Sequence, residues 1–338
     1  MATIKDVARV AGVSVTTVSI IVNGKSEERR ISEATKDRVM AVMKELEYQP
    51  NLSARRLRYQ ESRKPVIAFF WPLDYRIPIL AAFLNALQRE IKQQNFDCEL
   101  VVQTYENDML EKDAGAIIKN SYNGIIIGAT SKHDIEYLES LSPQMPVVLI
   151  NRTSSKFSTV CTDQKKIGFQ AAQLFRQKGY TEAAVIACGH PYVATGLRTQ
   201  AFLSACAELG IQIADKDILK GPSTIEGGAA AAEQYCNLTD RPRAVFFESD
   251  SMAIGALSTF HKRNIKIPQD AELLTIGMLE SEATMYSVPS LSAIEMPNEE
   301  MTKAAIQILM DKLASNNLTP ANVTLEANLV LRESFQMP

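Results

Sequence analysis

The length and composition of the chain exclude several classes of protein. Its 338 residues are too many for one compact core, and its 46% hydrophobic and 22% charged residues are ordinary for globular domains. No apolar run approaches the roughly 20 residues that cross a bilayer, and the N-terminus lacks the basic and apolar pattern of a signal segment. We therefore expect a cytoplasmic protein of two or three domains with no membrane partner.

Charge is divided unevenly along the sequence. The formal net charge is −3, but residues 1–64 carry 13 Lys and Arg against 8 Asp and Glu. A basic segment on an acidic body places the attraction for DNA at one end of the chain. The five cysteines lie far apart and form no C-x-x-C pair, which favours a reduced protein without a cysteine-bound metal.

The first 24 residues predict two short helices joined by a tight turn. Thr3 is a good N-cap, Gly12 suits the left-handed residue that ends a helix, and Ser14 caps a second helix from Val15 to about Val22. This pattern is typical of a helix-turn-helix, whose second helix enters the major groove, although a surface helical hairpin shares it. The candidate DNA-contacting residues here are Thr3, Ser14, Val15, Thr16, Thr17, Ser19, Ile20 and Asn23.

Two further helices are predicted before the composition changes. Ser32 is expected to cap a third helix, and an apolar stripe from Val39 to Leu46 would close a three-helix core. Asn51 can cap a helix of two turns. A helix this short is marginal alone because helix nucleation is unfavourable.

These residues together resemble the N-terminus of the lactose and galactose repressor (LacI/GalR) family. The resemblance covers residues 3–24, Arg38-Val39, Leu46, Tyr48, Pro50-Asn51, Ala54 and Leu57. It implies a helix-turn-helix domain at 1–50 and a hinge helix with its linker at 51–64. In that family the hinge helices fold when two subunits meet on the operator, and a leucine from each enters the minor groove and bends the duplex. The resemblance therefore adds Asn51, Ala54, Arg55 and Leu57 to the expected DNA contacts.

From Val66 onward the sequence alternates between patterns of buried strands and amphipathic helices. This alternation predicts an α/β fold of parallel sheets with helices on both faces. The predicted strands are 66–71, 98–102, 124–128, 147–150, 183–187, 244–247, 273–276 and 323–331. The predicted helices are 78–94, 108–120, 134–141, 163–177, 196–209, 224–235, 251–263 and 298–314, with Gly227-Gly228 interpreted as a turn.

The family resemblance, which is looser over residues 65–338, implies an architecture for this effector-binding and dimerisation domain. It implies two lobes like those of periplasmic binding proteins, with a ligand cleft between them. Lobe 1 is expected at about 65–162 and 294–322, and lobe 2 at about 163–293 and 323–338. The chain would then cross between lobes near Asp163, Leu291–Ala293 and Val323.

Ligands of open α/β sheets bind beyond the carboxyl ends of the strands, and this rule selects candidate effector-binding residues. Trp71 could stack on a flat or sugar-like ligand, or pack beneath the cleft. Arg198 matches the family arginine that holds effector hydroxyls or carboxylates, and its guanidinium offers five donors in a rigid fork. The complete set is Trp71, Arg76, Thr130, Asn151, Arg198, Ser249, Asp250 and Leu279.

The chain also departs from the family pattern. Sugar-binding members commonly carry aspartate where Asn151 and Leu279 stand, and asparagine where Ser249 stands, so strong hydroxyl acceptors are missing. We therefore expect an effector that is more anionic or more apolar than a plain monosaccharide, or a sugar derivative held by Trp71, Arg76 and Arg198. Ile20 replaces a common arginine and predicts an operator that depends less on guanine at that position.

We expect a homodimeric, sequence-specific transcription repressor that binds a palindromic operator on double-stranded DNA. A small-molecule effector linked to carbohydrate metabolism would control it from the cleft. We expect neither catalytic residues nor a cofactor or metal, because no histidine, cysteine or carboxylate pattern matches a known signature. The alternatives are a regulator controlled by a partner protein and an α/β enzyme fused to a DNA-binding head. A periplasmic binding protein would need the signal segment that the N-terminus lacks.

Overall fold

The computed structural model describes residues 4–22, 26, 29, 31–46, 64–74, 76–119, 121–189 and 193–337. The chain divides into two compact units, a head consisting mainly of the first 63 residues and a body that begins at Lys64. Among the helices in these ranges, none has the length and apolar character that crossing a bilayer requires.

The described residues of the head form a bundle of three helices. They are α1 (Ile4–Ala11), α2 (Val15–Val22) and α3 (Glu33–Glu45). Gly12 has a φ of 64°, so the predicted left-handed end of α1 is confirmed. Side chains from all three helices share one apolar core, formed by Val7, Ala8, Ala11, Val18, Ile21, Val39 and Val42. The predicted three-helix arrangement is therefore confirmed.

The first lobe of the body is a six-stranded sheet with helices on both faces. Its strands are β1 (Val66–Pro72), β2 (Glu99–Tyr105), β3 (Gly124–Gly128), β4 (Val147–Ile150), β5 (Ser158–Thr162) and β11 (Asn322–Leu325). Its helices are α4 (Ile77–Gln93), α5 (Leu110–Asp113), α6 (Gly115–Ile118), α7 (Lys132–Ser140) and α13 (Asn298–Ser315). The strands lie in the order β11-β5-β4-β3-β1-β2, and all neighbouring pairs are parallel.

The second lobe repeats this plan with one antiparallel edge. Its strands are β6 (Ala183–Cys188), β7 (Ile218–Gly221), β8 (Ala244–Phe247), β9 (Glu272–Gly277), β10 (Ser292–Glu295) and β12 (Asn328–Val330). Its helices are α8 (Gln164–Gln177), α9 (Val193–Glu208), α10 (Ile225–Cys236), α11 (Asp250–Lys262) and α12 (Ser281–Met285), with a 3₁₀ turn at Asp215–Asp217. The order is β12-β10-β9-β8-β6-β7, and β12 runs antiparallel to β10. The predicted α/β class is confirmed.

The predicted single strand at 323–331 is wrong. This segment forms two short strands, β11 in the first sheet and β12 in the second, and the chain crosses between lobes at Glu326-Ala327. The preceding crossover follows β10, at Met296-Pro297. The last strand of the second sheet before this crossover ends at Glu295, and β11 of the first sheet ends at Leu325. An apolar run does not reveal this change of sheet because both strands are half-buried edge strands with similar composition.

Two other predictions about elements need correction. The predicted helix at 108–120 is two short helices, α5 and α6. Gly227-Gly228, which lie at a predicted helix start and were interpreted as a turn, are the third and fourth residues of α10. A Cβ at Gly228 would overlap the backbone of Met252 in α11, so this glycine allows the two helices to pack closely.

We predict that Gly228→Ala lowers the free energy of unfolding by about 1–3 kcal/mol, because the added methyl forces α10 away from α11. The control is Gly115→Ala, where an added Cβ meets nothing within 4 Å in the described structure. The control should be neutral, or stabilise by up to about 1 kcal/mol. Thermal and urea unfolding of both variants measure the difference, and equal stability of the two would contradict the prediction.

Candidate functional site

The N-terminal turn of α2 presents polar side chains at the surface of the head. Ser14 accepts a hydrogen bond from the backbone N–H of Thr17 at 3.0 Å, so the predicted cap is present. Ser14 and Thr16 are exposed, and Val15 packs against the head core. Thr17, Ser19 and Ile20 are half-buried. The first turn therefore offers hydroxyl groups, with Ile20 one turn further along.

Six predicted DNA-contacting residues lie outside the described part of the chain. They are Thr3, Asn23, Asn51, Ala54, Arg55 and Leu57. The hinge helix to which the last four were assigned also lies outside it. These assignments stay predictions.

The body contains a cleft where the carboxyl ends of strands from both sheets face each other. Its cavity volume is about 70 Å³, and it lies at the strand ends where open α/β sheets bind small ligands. The described residues that line it are Trp71, Arg76, Pro78, Ile79, Phe83, Ala129, Ile150, Asn151, Arg152, Ala194, Arg198, Ser223, Glu248, Ser249, Ser251, Met278, Leu279, Met296, Asn298 and Met301. Six of the eight predicted effector residues are in this lining, namely Trp71, Arg76, Asn151, Arg198, Ser249 and Leu279.

Arg198, on α9, is completely buried without a close carboxylate partner. Its Nη1 donates to Gln164 Oε1 at 2.9 Å, and its Nη2 lies 3.3 Å from the sulfur of Met278. Its Nε has no hydrogen-bond partner. Burial lowers the pKa of Arg198 to about 10, and the charges of Glu248 and Asp250 only partly oppose this. A cation in this state attracts an anionic ligand.

Arg152 is a second buried cation. The rule for strand ends indicates Asn151-Arg152 after β4, but the predicted effector set contains only Asn151. Its Nε donates to the carbonyl of Thr130 and its Nη1 to the carbonyl of Asn151 at 2.7 Å. Burial, together with the positive charges of Arg76 and Arg198, lowers the pKa of Arg152 to about 10. No carboxylate is among the charges that act on it.

Gln164 connects the two sides of the cleft. Its Nε2 donates to Asn151 Oδ1 at 2.7 Å in the first lobe, while its Oε1 accepts from Arg198 in the second. Asn151 has a φ of 55°, a left-handed conformation that asparagine tolerates better than most residues. The loss of an aspartate at position 151 thus gives an amide that bonds to protein across the lobes.

Arg76 lines the cleft but is held by its own surroundings. Its Nε donates to both carboxylate oxygens of Asp74, at 2.9 and 3.0 Å, and its Nη2 donates to Asn107 Oδ1 at 2.9 Å. Its Nη1 donates to the carbonyl of Ala129. The principal task of this guanidinium is therefore to brace the loops that follow β1, β2 and β3.

Glu248 is the main residue that the sequence analysis missed. It follows β8 directly, is 1% exposed, and lines the cleft. Its Oε2 accepts a hydrogen bond from Thr199 Oγ1 at 2.9 Å, whereas its Oε1 has no partner. Burial raises the pKa of Glu248, while Thr199, Arg198 and the Cys188 backbone oppose the rise. The rule that selected Ser249 should also have selected Glu248.

Trp71 packs beneath the cleft and also reaches it. Its ring lies 5.7 Å from Phe69 and 5.6 Å from Phe83, between ring centroids, and covers Gly128. The residue is 2% exposed, and its indole Nε1 has no hydrogen-bond partner. The indole therefore offers a buried N–H to the cleft rather than an open stacking face.

Thr130 and Asp250 lie outside the described cleft lining. Thr130 is fully buried, and its carbonyl holds Arg152. Asp250 Oδ2 accepts the backbone N–H groups of Met278 and Leu279, both at 2.8 Å, which secures the loop after β9. Burial raises the pKa of Asp250 to about 6, against the effect of these donors. Both residues support the cleft wall.

Taken together, the cleft has an apolar floor with separated polar groups of both signs. Two guanidiniums favour an oxyanion, and the Ser223 and Ser249 hydroxyls, 3.1 Å apart, add polar contacts. Within the described ranges, no group of three or more His, Cys, Asp or Glu side chains is arranged to hold a metal ion. The arrangement suits recognition of a small polar molecule.

A helix-turn-helix in one chain with a two-lobed α/β cleft defines a DNA-binding regulator that senses small molecules. Residues 3–51 match the bacterial regulatory proteins of the lacI family, and residues 172–335 match the periplasmic binding protein-like domain. A LacI family transcription regulator from Clostridium acetobutylicum, known from a crystal structure, is 34% identical in sequence to this chain. The two structures superpose with a TM-score of 0.76, over 80% of this chain and 100% of that chain. The chain belongs to the LacI family of bacterial regulatory proteins.

Full-length curated relatives agree with this assignment. The transcriptional repressor PurR of Photobacterium profundum is 27% identical over 99% of this chain and 99% of its own length. The ribose operon repressor of Escherichia coli is 26% identical over 99% of this chain and 100% of its own length. The family that the sequence resemblance indicated is therefore confirmed.

We predict that Arg152→Met changes the free energy of unfolding of the ligand-free protein by no more than about 1 kcal/mol, because it removes a buried cation without a carboxylate partner. Arg332→Met is the matched control, since Arg332 pairs with Glu295 at 2.7 Å and also donates to the Leu291 carbonyl at 2.9 Å. That variant should lose about 3 kcal/mol. Urea unfolding tests the contrast, which equal losses would disprove.

Proposed function

We propose that the protein is a dimeric repressor that binds a palindromic operator and is controlled by a small anionic effector. The named relatives are repressors, which supports this direction of control. The observation that carries the effector class is the pair of buried guanidiniums, Arg152 and Arg198, without close carboxylate partners. Carboxylates and phosphates are the ligands that such groups bind most strongly.

Operator recognition depends on the first turn of α2. The exposed Ser14 and Thr16 lie where a recognition helix meets base edges, and the half-buried Ile20 lies one turn later. Hydroxyl groups bond to several bases, whereas Ile20 offers only apolar contact, for example with thymine methyl groups. The operator should therefore require no guanine opposite Ile20.

Dimerisation is supported by an exposed apolar segment of the second lobe. Met285, Tyr286 and Val288 follow one another closely at the end of α12, and all three are exposed. Exposed apolar groups this close together are typical of a protein interface. Two-fold symmetry of such a pair matches the two half-sites of a palindrome.

Control by the effector is a two-state equilibrium between lobe arrangements. The cleft walls come from both lobes, with Arg152 on the first and Arg198 on the second, and Gln164 bonds to both sides. A ligand shifts the equilibrium only if it binds one arrangement more tightly. An oxyanion that contacts both guanidiniums favours the arrangement in which they lie close.

We predict that Ile20→Arg creates a preference for guanine of about tenfold at one base pair of each half-site, because arginine bonds to guanine O6 and N7. Selection from randomised duplexes, with the wild type and the variant in parallel, measures this. Met40→Arg is the control, since it adds the same charge at an exposed position on α3. It should increase affinity without changing base preference. A wild type that shows no preference for any duplex would overturn the proposed function.

We predict that anionic metabolites raise the melting temperature of the full-length protein more than their uncharged parents do, because only an anion compensates the buried cations. A thermal-shift panel of carboxylic acids, phosphate esters and parent alcohols tests this at constant ionic strength. Arg152→Met should reduce the rise in melting temperature that the anions cause. Equal stabilisation by charged and uncharged members of each pair would contradict the effector class.

A further inference from the structure

Three buried polar atoms without hydrogen-bond partners line the same cleft. They are Trp71 Nε1, Arg198 Nε and Glu248 Oε1, and their residues are 2%, 0% and 1% exposed. Buried polar atoms are nearly always hydrogen-bonded in folded proteins. Other exceptions, such as Ser26 Oγ and Asp217 Oδ1, are scattered over the described residues, but these three belong to the lining of one cleft, which indicates partners that come with a ligand.

The three atoms differ in what they require. Trp71 Nε1 and Arg198 Nε are donors, so they need acceptor atoms on the ligand. Glu248 Oε1 is an acceptor when the carboxylate is ionised, so it needs a hydroxyl or ammonium donor. An anion alone meets the first requirement and leaves the second unmet.

The placement of Glu248 keeps its charge near Arg198 without closing an ion pair. Thr199, the next residue on α9, donates to Glu248 Oε2 and so fixes the carboxylate beside the guanidinium. Arg198 instead bonds to Gln164 and contacts the sulfurs of Met278 and Met296. One turn of α9 therefore carries Arg198 and holds Glu248, so that a donor and an acceptor without partners belong to neighbouring side chains of the cleft lining.

We infer that the effector carries an oxyanion together with a hydroxyl or ammonium donor, and that Glu248 selects for this donor. The chemical class is that of hydroxy acids, sugar acids and sugar phosphates, or of amino acids. This inference rests on the proposed function of the cleft as the effector site. It adds a specificity-determining residue and excludes both simple fatty acids and uncharged polyols.

Matched compounds separate the two requirements. Gluconate has a carboxylate and hydroxyls, hexanoate has only the carboxylate, and sorbitol has only the hydroxyls, all on six carbons. Glycerate, propionate and glycerol form a three-carbon set, and alanine with propionate tests the ammonium donor alone. Glucose 6-phosphate and glycerol 3-phosphate test whether a phosphate can replace the carboxylate. Calorimetric titration of the full-length protein gives each affinity. At least one bifunctional compound should bind about tenfold or more tightly than its monofunctional partners, because the cleft leaves unpaired groups with the others.

Glu248→Gln tests the assigned residue. It should weaken the bifunctional compound about tenfold, because an ionised acceptor is lost, and leave the matched deoxy acid unchanged. Thr199→Val, which removes the hydroxyl that holds Oε2, should give a smaller loss of the same kind. Glu90→Gln is the control, since Glu90 is buried on α4, outside the described cleft lining, and accepts from Gln94 at 2.8 Å. The control should bind every compound like the wild type.

Three outcomes would overturn the inference. In the first, hexanoate or sorbitol binds as tightly as gluconate, and in each of the other sets a compound with one of the two groups binds as tightly as the compound with both. In the second, Glu248→Gln weakens acid and hydroxy acid equally, which would make Glu248 only a counter-charge for Arg198. In the third, no bifunctional compound binds below about 1 mM, the weakest affinity expected of a metabolite sensor. Operator selection reports separately on the proposed function, so DNA binding without this ligand preference would refute the inference alone.

Discussion

The two guanidiniums of Arg152 and Arg198 impose the constraint around which the body is built. Moving a cation out of water is unfavourable unless other groups replace the lost hydration. Here the replacements are weak, consisting of two backbone carbonyls for Arg152 and an amide with two thioethers for Arg198. The cleft thus keeps its cations charged but incompletely compensated. A well-paired arginine has little to offer a ligand, whereas these two leave room for the anion that we propose as the effector.

Buried polar groups without partners lower the stability of the fold, although the cleft needs them for binding. Other buried charged residues near the cleft are fully bonded and hold its loops in place. Arg76 is buried nearby but is fixed by Asp74 and Asn107, so it braces the loops that hold the cleft. Asp250 is buried too, yet it serves the backbone after β9. Three buried polar atoms without partners belong to side chains that line the cleft, and the well-packed sheets beneath them carry the stability of each lobe.

Much of this arrangement was predictable from sequence, and the failures have physical causes. Central strands such as Gly124–Gly128 and Val147–Ile150 are continuous apolar runs, because both of their faces are covered. Edge strands such as β7, β11 and β12 are short and half-buried, so they give little signal. The rule for strand ends found Arg198 and Ser249 but could not show which neighbouring carboxylate faces inward. Glu248 does and Asp250 does not, and that difference depends on long-range contacts.

The electrostatics of the cleft also provide a reason for lobe movement. Arg152 belongs to the first lobe and Arg198 to the second, and the charge of Arg198 helps lower the pKa of Arg152. Without a ligand, this like-charge repulsion opposes approach of the walls. The Gln164 bridge between Asn151 and Arg198 counters it, as does the hydrogen bond from Asn298 Nδ2 to the Met278 carbonyl at 3.0 Å. An oxyanion between the two guanidiniums attracts both of them, so the net electrostatic force between the cleft walls changes from repulsion to attraction. Its binding free energy therefore depends on lobe separation, which is the condition for a ligand to shift a conformational equilibrium.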